Sequence, residues 1–217
     1  MFLRNQEYTM LFNSLHFLIF FPIVVILYFS LSHKYRWALL LAASYYFYMS
    51  WKVEYIILII ISTLVDFYMA KKISKTTSLR KKKFFLIFSL STNLGLLFAF
   101  KYLNFVHSSI REFVSIFSLE LSPLAWKVLL PVGISFYTFQ TLSYTIDVYR
   151  GKIKPESHLG IFALYVSFFP QLVAGPIERA GNLLPQFFKE KKFEYKMLTS
   201  GLKIMLWGFF LKVVIAD

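Results

Sequence analysis

Apolar residues fall along this chain in long runs broken by short polar segments, without the strict alternation that a half-buried strand would show. Runs of that length form helices, and about 20 apolar residues suffice to cross the roughly 30 Å hydrocarbon layer of a membrane. The pattern predicts spans over 10–31, 37–51, 53–70, 84–102 and 126–149. A sixth apolar stretch, 159–177, is interrupted by Pro170, Gly175 and Pro176, and a terminal helix is expected over 197–215. The second and third spans meet at Ser50-Trp51-Lys52-Val53-Glu54, a very tight turn. Residues 1–9 read as a polar N-terminal extension, with Met10 as an alternative start. The expected fold class is all-α, a polytopic transmembrane helix bundle with a broken segment.

Composition supports that reading. Of 217 residues, 58% are apolar and only 16% charged. A soluble domain carries about 25% charged residues, so this chain has too few to cover a water-facing surface. The absence of Cys excludes a disulfide scaffold, and the hydrophobicity excludes disorder. The first apolar run is too long for a signal peptide, lacks a small-residue cleavage site and is followed at once by more spans.

The net charge of +13 changes the picture only once its position is known. Lys71, Lys72, Lys75, Arg80, Lys81, Lys82 and Lys83 crowd one short segment with no acid among them. Basic loops stay on the cytoplasmic side. That placement makes the N-terminus external, puts the loop Asn104–Ala125 outside, and returns Arg150, Lys152 and Lys154 to the inside. Lys189, Lys191, Lys192 and Lys196 also belong inside, so residues 159–177 must enter and leave on one side, as a re-entrant or interfacial segment. The basic excess then faces anionic lipid heads, and no nucleic acid is needed to explain it.

Candidate chemistry is concentrated in two places. On a helix, Gly133, Tyr137, Gln140, Tyr144 and Asp147 fall on one stripe, opposite Phe139, Leu142 and Ile146. A polar stripe of that length must face protein or a water-filled cavity, or serve as interhelical hydrogen-bonding glue. Arg150 stands one turn beyond Asp147; either the two pair or Asp147 is held by another neighbour. The second place is Phe168–Arg179, where two Pro and a Gly break the helix and Gln171, Glu178 and Arg179 supply polar groups. Broken backbone at membrane depth survives only when buried in protein or lining a cavity, although a surface-lying segment is the alternative. Asp66 is expected to pair locally with Lys71 or Lys72, and Asn93 to act as interhelical glue. His16, His33, His107 and His158 lack metal-ligand spacing, so no metal site is expected.

Six ordered segments carry a family resemblance. They are Met10–Ser14, Leu41–Tyr48, Lys101–Phe105, Leu130–Gly151, Phe169–Pro176 and Gly208–Asp217. Together they resemble the membrane-bound O-acyltransferases, in the bacterial branch of alginate O-acetylases and D-alanyl transfer proteins. The resemblance implies an enzyme of the bacterial inner membrane that moves an acyl group onto a hydroxyl of an exported polysaccharide or cell-envelope polymer. No bound cofactor is implied. The acyl donor, a thioester of coenzyme A or of an acyl carrier protein, would be a co-substrate, and a periplasmic acyltransferase partner is possible.

Members of that family are about twice as long as this chain, and their catalytic His lies in a Trp-His motif that has no counterpart here. The chain therefore resembles an N-terminal half, expected to be inactive alone, with no catalytic residue of its own. Gly133, Tyr137, Gln140, Tyr144, Asp147, Arg150, Gln171, Gly175, Pro176 and Arg179 become tunnel-wall or scaffold candidates. On this reading Asp147→Asn in the full-length enzyme costs activity or folding. A transporter or channel subunit, or a non-catalytic scaffold, are the competing classes, but transporters of this kind usually carry an internal repeat and none is evident.

Topology is directly testable. Accessibility labels at Ser157 and Lys189 are expected to report the same side of the membrane, and labels reporting opposite sides would refute the inward-returning segment.

Overall fold

In the computed structural model, residues 10–117, 122, 131–172 and 175–216 are described. The polar extension, the first residues of the expected fifth span (126–130), most of 118–125, and Val173 and Ala174 in the broken segment lie outside them. The described elements are helical throughout: α1 Leu15–Ser30, α2 His33–Met49, α3 Ile56–Lys75, α4 Leu79–Leu97, α5 Leu103–Ser115, α6 Ile134–Tyr149, α7 Leu159–Ser167, α8 Phe169–Leu172, α9 Ala180–Phe188 and α10 Tyr195–Phe210.

Local chemistry sets several boundaries. Ser14 caps α1 by accepting the Phe17 N–H at 3.2 Å, and Pro22 is carried inside that helix. His158 caps α7, its Nδ1 accepting the Ile161 N–H at 3.2 Å. Gly133 precedes α6 with φ 74°, a left-handed conformation that only glycine adopts freely. Gly133 is therefore not on the helical stripe expected from the sequence. It turns the chain into α6, and a Cβ there would sit 2.7 Å from the Leu172 carbonyl oxygen.

Span Val53–Lys75, rod Leu79–Ser115 and span Tyr195–Ala216 are long and apolar enough to cross a membrane. The rod is 37 residues because α4 passes through a π-helical turn, Phe98–Tyr102, directly into α5. The segment from Asn104 was expected to be an external loop, yet it is helical to Ser115. The reason is its own periodicity: Val106, Ile110 and Phe113 recur at spacings of four and three among polar neighbours.

Helices α3, α4 and α6 pack together as one three-helix core. Helix α7 lies against both α2 and α3, and α1 packs on α2. Two apolar clusters hold these layers. One joins Tyr48, Ile59, Phe67, Tyr137, Tyr144, Phe162 and Tyr165 across α2, α3, α6 and α7. The other joins Phe17, Phe20, Phe47 and Phe169, whose rings meet edge-on and tilted at centroid distances of 5.3–6.5 Å. Outward residues of α1 and α4 such as Leu15, Ile26, Phe84 and Phe88 are exposed, and α10 carries no buried residue. Apolar flanks of that extent need lipid rather than water.

One end of the bundle gathers the basic segments. His33 Nε2 donates to the Phe188 carbonyl at 3.1 Å, and Arg36 donates to the carbonyls of Leu31 and Lys191 at 3.0 and 2.6 Å. Arg36 also lies over the Tyr28 ring at 4.8 Å, which helps bury its guanidinium. Lys71 donates to the Ser157 carbonyl at 3.0 Å, and the Trp37 and His158 rings meet at 4.7 Å. The chain before α7 and the chain after α9 thus both return to the start of α2.

Glycine packing gives a paired test. A Cβ at Gly160 would lie 2.2 Å from Cζ3 of Trp37, whereas one at Gly95 meets nothing within 4 Å. Gly160→Ala is expected to cost about 1–3 kcal/mol of stability through overpacking. Gly95→Ala, inside α4, should be neutral or gain about 0.5–1 kcal/mol. Thermal unfolding in detergent checks both, and equal effects would refute the α2–α7 approach.

Candidate functional site

Helix α6 is buried on two faces, and each face does different chemistry. The first carries Thr138, Thr141 and Thr145, all buried, at spacings of three and four. It faces α3 and α4, where Asp66 is fully buried. The Asp66 carboxyl group accepts from Ser89 Oγ, from Asn93 Nδ2 at 2.9 and 3.1 Å, and from Thr145 Oγ1 at 3.2 Å. Asn93 is the second centre of this network. Its Nδ2 also donates to the Ser89 carbonyl at 3.0 Å, and its Oδ1 accepts from Ser62 Oγ and, at 3.5 Å, from Thr141 Oγ1.

Lys71 and Lys72, the partners expected from sequence proximity, do not pair with Asp66. Lys71 lies over the Phe67 ring at 4.1 Å and reaches Ser157, while Lys72 lies over Phe85 at 5.5 Å. Asp66 lies on the side of α3 turned toward α4 and α6, so its partners come across the bundle rather than along the helix. The threonine face of α6 was overlooked because threonine is only weakly polar. Its spacing of three and four was the signal that could have found it.

The second face carries Tyr137, Gln140 and Tyr144, buried as the stripe required. Gln140 Nε2 donates to the Tyr165 carbonyl of α7 at 2.7 Å and to Gln171 Oε1 of α8 at 3.4 Å. Gln171 Nε2 in turn donates to the Pro176 carbonyl at 2.8 Å. The Tyr165 hydroxyl donates to the carbonyls of Glu178, at 3.2 Å, and Gln140, at 3.4 Å. Tyr144 Oη accepts the Glu156 N–H at 2.9 Å. These bonds supply partners that the interrupted helix cannot provide for itself.

The break itself is packed tightly. The Phe169 N–H, beyond the end of α7, donates to Ser44 Oγ of α2 at 3.2 Å. A Cβ at Gly175 would lie 2.6 Å from Gln171 Cα, so only glycine fits that bend. Gln140, Gln171, Gly175 and the Pro176 carbonyl are therefore brought into one small region, with Gly133 against Leu172 beside it. The ring of Pro176 is exposed.

The remaining candidates lie elsewhere. Asp147 is at the end of α6, its carboxyl 4.0 Å from Lys152 Nζ rather than paired with Arg150. The turn at Gly151, φ 71°, brings Lys152 back over α6. Arg150 and Arg179 are exposed. Three of the histidines serve the structure. His16 hydrogen-bonds Tyr46 Oη at 3.1 Å, while His33 and His158 fix helix ends as described. Among the described residues no cluster of His, Cys, Asp or Glu suits a metal.

Known proteins resemble this chain over nearly its whole length. It is 37% identical over 210 residues to a probable alginate O-acetylase of Pseudomonas aeruginosa, covering 96% of this chain and 40% of that protein. It is 38% identical over 211 residues to a probable alginate O-acetylase of Pseudomonas putida, covering 96% and 43%. It is 35% identical over 205 residues to a peptidoglycan O-acetyltransferase of Helicobacter pylori, covering 82% and 38%. The chain spans about two fifths of the length of these relatives and matches their N-terminal portion. No family model and no solved structure matches it.

The buried network and the Asp147 pair are expected to differ in energetic weight. Asn93→Leu strands partners on α3, α4 and α6 together and should cost about 3 kcal/mol in thermal unfolding. Asp147→Ala removes only a partly exposed pair and should cost less than about 1 kcal/mol. The reverse ranking would refute the central role of Asp66 and Asn93.

Proposed function

We propose that this chain, a membrane protein homologous to the N-terminal portion of the membrane-bound O-acyltransferases, forms part of the wall of an acyl-transfer path. The product would be O-acetyl groups on an exported polysaccharide or another cell-envelope polymer. The observation that carries this reading is 35–38% identity, across most of the chain, to relatives named as O-acetylases of alginate and peptidoglycan.

In this reading the membrane is the bacterial cytoplasmic membrane. The basic segments around Lys71–Lys83, Lys152 and Lys189–Lys192 face the cytoplasm, as the positive-inside rule requires, and the N-terminus is external. The segment from α7 to α9 enters and leaves from the cytoplasmic side. The gathering of Arg36, Lys71, Ser157, Phe188 and Lys191 at one end of the bundle supports that arrangement.

The chemistry divides as follows. A hydroxyl of the acceptor attacks the carbonyl carbon of an acyl thioester, carried by coenzyme A or an acyl carrier protein. A base removes the hydroxyl proton, the thiolate leaves, and hydrogen-bond donors stabilise the oxyanion between those steps. No residue described above is assigned the proton. Gln140, Gln171 and Tyr165 hold the broken segment against α6, so their role is to shape the path and exclude water. A periplasmic acyltransferase that carries the group onward is a possible partner.

Loss of the gene that encodes this chain is expected to abolish base-labile O-acetyl groups on the exported polymer, with return on complementation. Unchanged acetylation in the deletion strain would refute the function.

A further inference from the structure

Helices α2 and α6 both reach the broken segment. Ser44 Oγ of α2 accepts the Phe169 N–H at its start, and Gln140 of α6 donates to Gln171 Oε1 within it. One turn further from the basic end of the bundle, each helix presents a tyrosine. Tyr48 follows Ser44 by four residues on α2, and Tyr137 precedes Gln140 by three on α6. The two tyrosines therefore stand on the same side of the break, and Leu172 of α8 belongs to the same apolar cluster.

Tyr48 is 2% exposed and Tyr137 1%. Neither hydroxyl has a hydrogen-bond partner. The two are near enough to act on each other electrostatically, and the further group that acts on Tyr48 is another tyrosine, Tyr55. A buried hydroxyl without a partner destabilises a fold, and phenylalanine would remove that penalty at almost no change in shape. Packing alone gives no reason for two such hydroxyls to stand together beside the break.

We propose that Tyr48 and Tyr137 are the two hydrogen-bond donors that hold the carbonyl oxygen of the acyl group during transfer. The inference rests on the acyl-transfer reading and names the part of the path where the reacting carbonyl sits. Each hydroxyl is neutral and has one proton to offer, which suits an uncharged carbonyl oxygen. A carboxylate or phosphate would call for a cation, and no charged side chain is among the groups that act on either hydroxyl. A sugar ring would need an open aromatic face, and both rings are covered. Ile59, Ile134 and Leu172, in the same cluster, suit a short acyl chain.

As the acceptor hydroxyl oxygen bonds to the carbonyl carbon, the C=O π pair moves onto the carbonyl oxygen, and both donors tighten on that oxyanion. The pair returns as the C–S bond breaks and the thiolate leaves. The acceptor's proton goes to the base, and the tyrosines keep theirs. Donors fixed in advance in a dry site are worth far more than the same donors in water.

The test complements a strain deleted for the gene that encodes this chain with the wild-type gene, Tyr48→Phe or Tyr137→Phe. Labelled acetate is followed into base-labile O-acetyl groups of the exported polymer, at matched protein level in the membrane. Each purified protein is also unfolded by heat in detergent. Each variant should transfer on the order of a hundredfold more slowly, the scale of one lost oxyanion donor. Its unfolding temperature should equal or exceed that of the wild type, because no hydrogen bond within the protein is lost. Full-rate transfer by either variant would overturn the site and leave the acyl-transfer reading intact. So would an unfolding temperature that falls with the rate, since the hydroxyls would then brace the fold, through a bound water for example. Acetylation unchanged in the deletion strain itself would sink both.

Discussion

Water does not reach the centre of this bundle, so a polar group there must find its partner on a neighbouring helix. Asp66 imposes that condition most severely. A carboxyl group at membrane depth is tolerable only when its oxygens are occupied, and α4 and α6 supply the donors through Ser89, Asn93 and Thr145. The rotation of each helix about its own axis follows from that requirement. Turned by one residue, α6 would present Phe139, Leu142 and Ile146 where Thr138, Thr141 and Thr145 are needed. Apolar packing around Ile59, Phe67 and Phe162 favours burial but does not choose among such rotations.

Once α6 is oriented by its threonine face, its other face is fixed as well. Tyr137, Gln140 and Tyr144 must then point toward α7 and α8, where the chain is interrupted. The interrupted backbone needs donors and acceptors, and Gln140 and Gln171 provide them. One helix therefore transmits the register of the buried network to the broken segment. Gly133 completes the link, because its missing side chain lets the entrance of α6 lie directly against the end of α8.

Much of this was legible in the sequence, and the parts that were not have physical causes. Helix type and the buried Tyr137–Gln140–Tyr144 stripe follow from periodicity and from the cost of polar groups in lipid. Asp66 was misread because sequence proximity to Lys71 and Lys72 suggests a local ion pair, whereas the side of α3 that Asp66 occupies depends on tertiary packing. Asp147 continues the stripe by periodicity but stands at the end of α6, where Lys152 folds back toward it. Gly133 was placed inside the helix because periodicity does not register a positive φ. The helical run through Asn104–Ser115 was hidden by its charges, which a loop and an amphipathic helix share.

The rod formed by α4 and α5 has one further consequence. At 37 residues it is about 55 Å long, nearly twice the hydrocarbon thickness. Even a steep inclination of about 40° leaves it spanning roughly 42 Å along the bilayer normal. With Arg80–Lys83 at the headgroups, as the proposed topology requires, the surplus falls at the α5 end. His107, Arg111 and Glu112 then lie where bilayer gives way to water. A thicker membrane would submerge them, and a thinner one would strand Phe105 and Phe113. The rod thereby makes the protein sensitive to the depth of the bilayer around it.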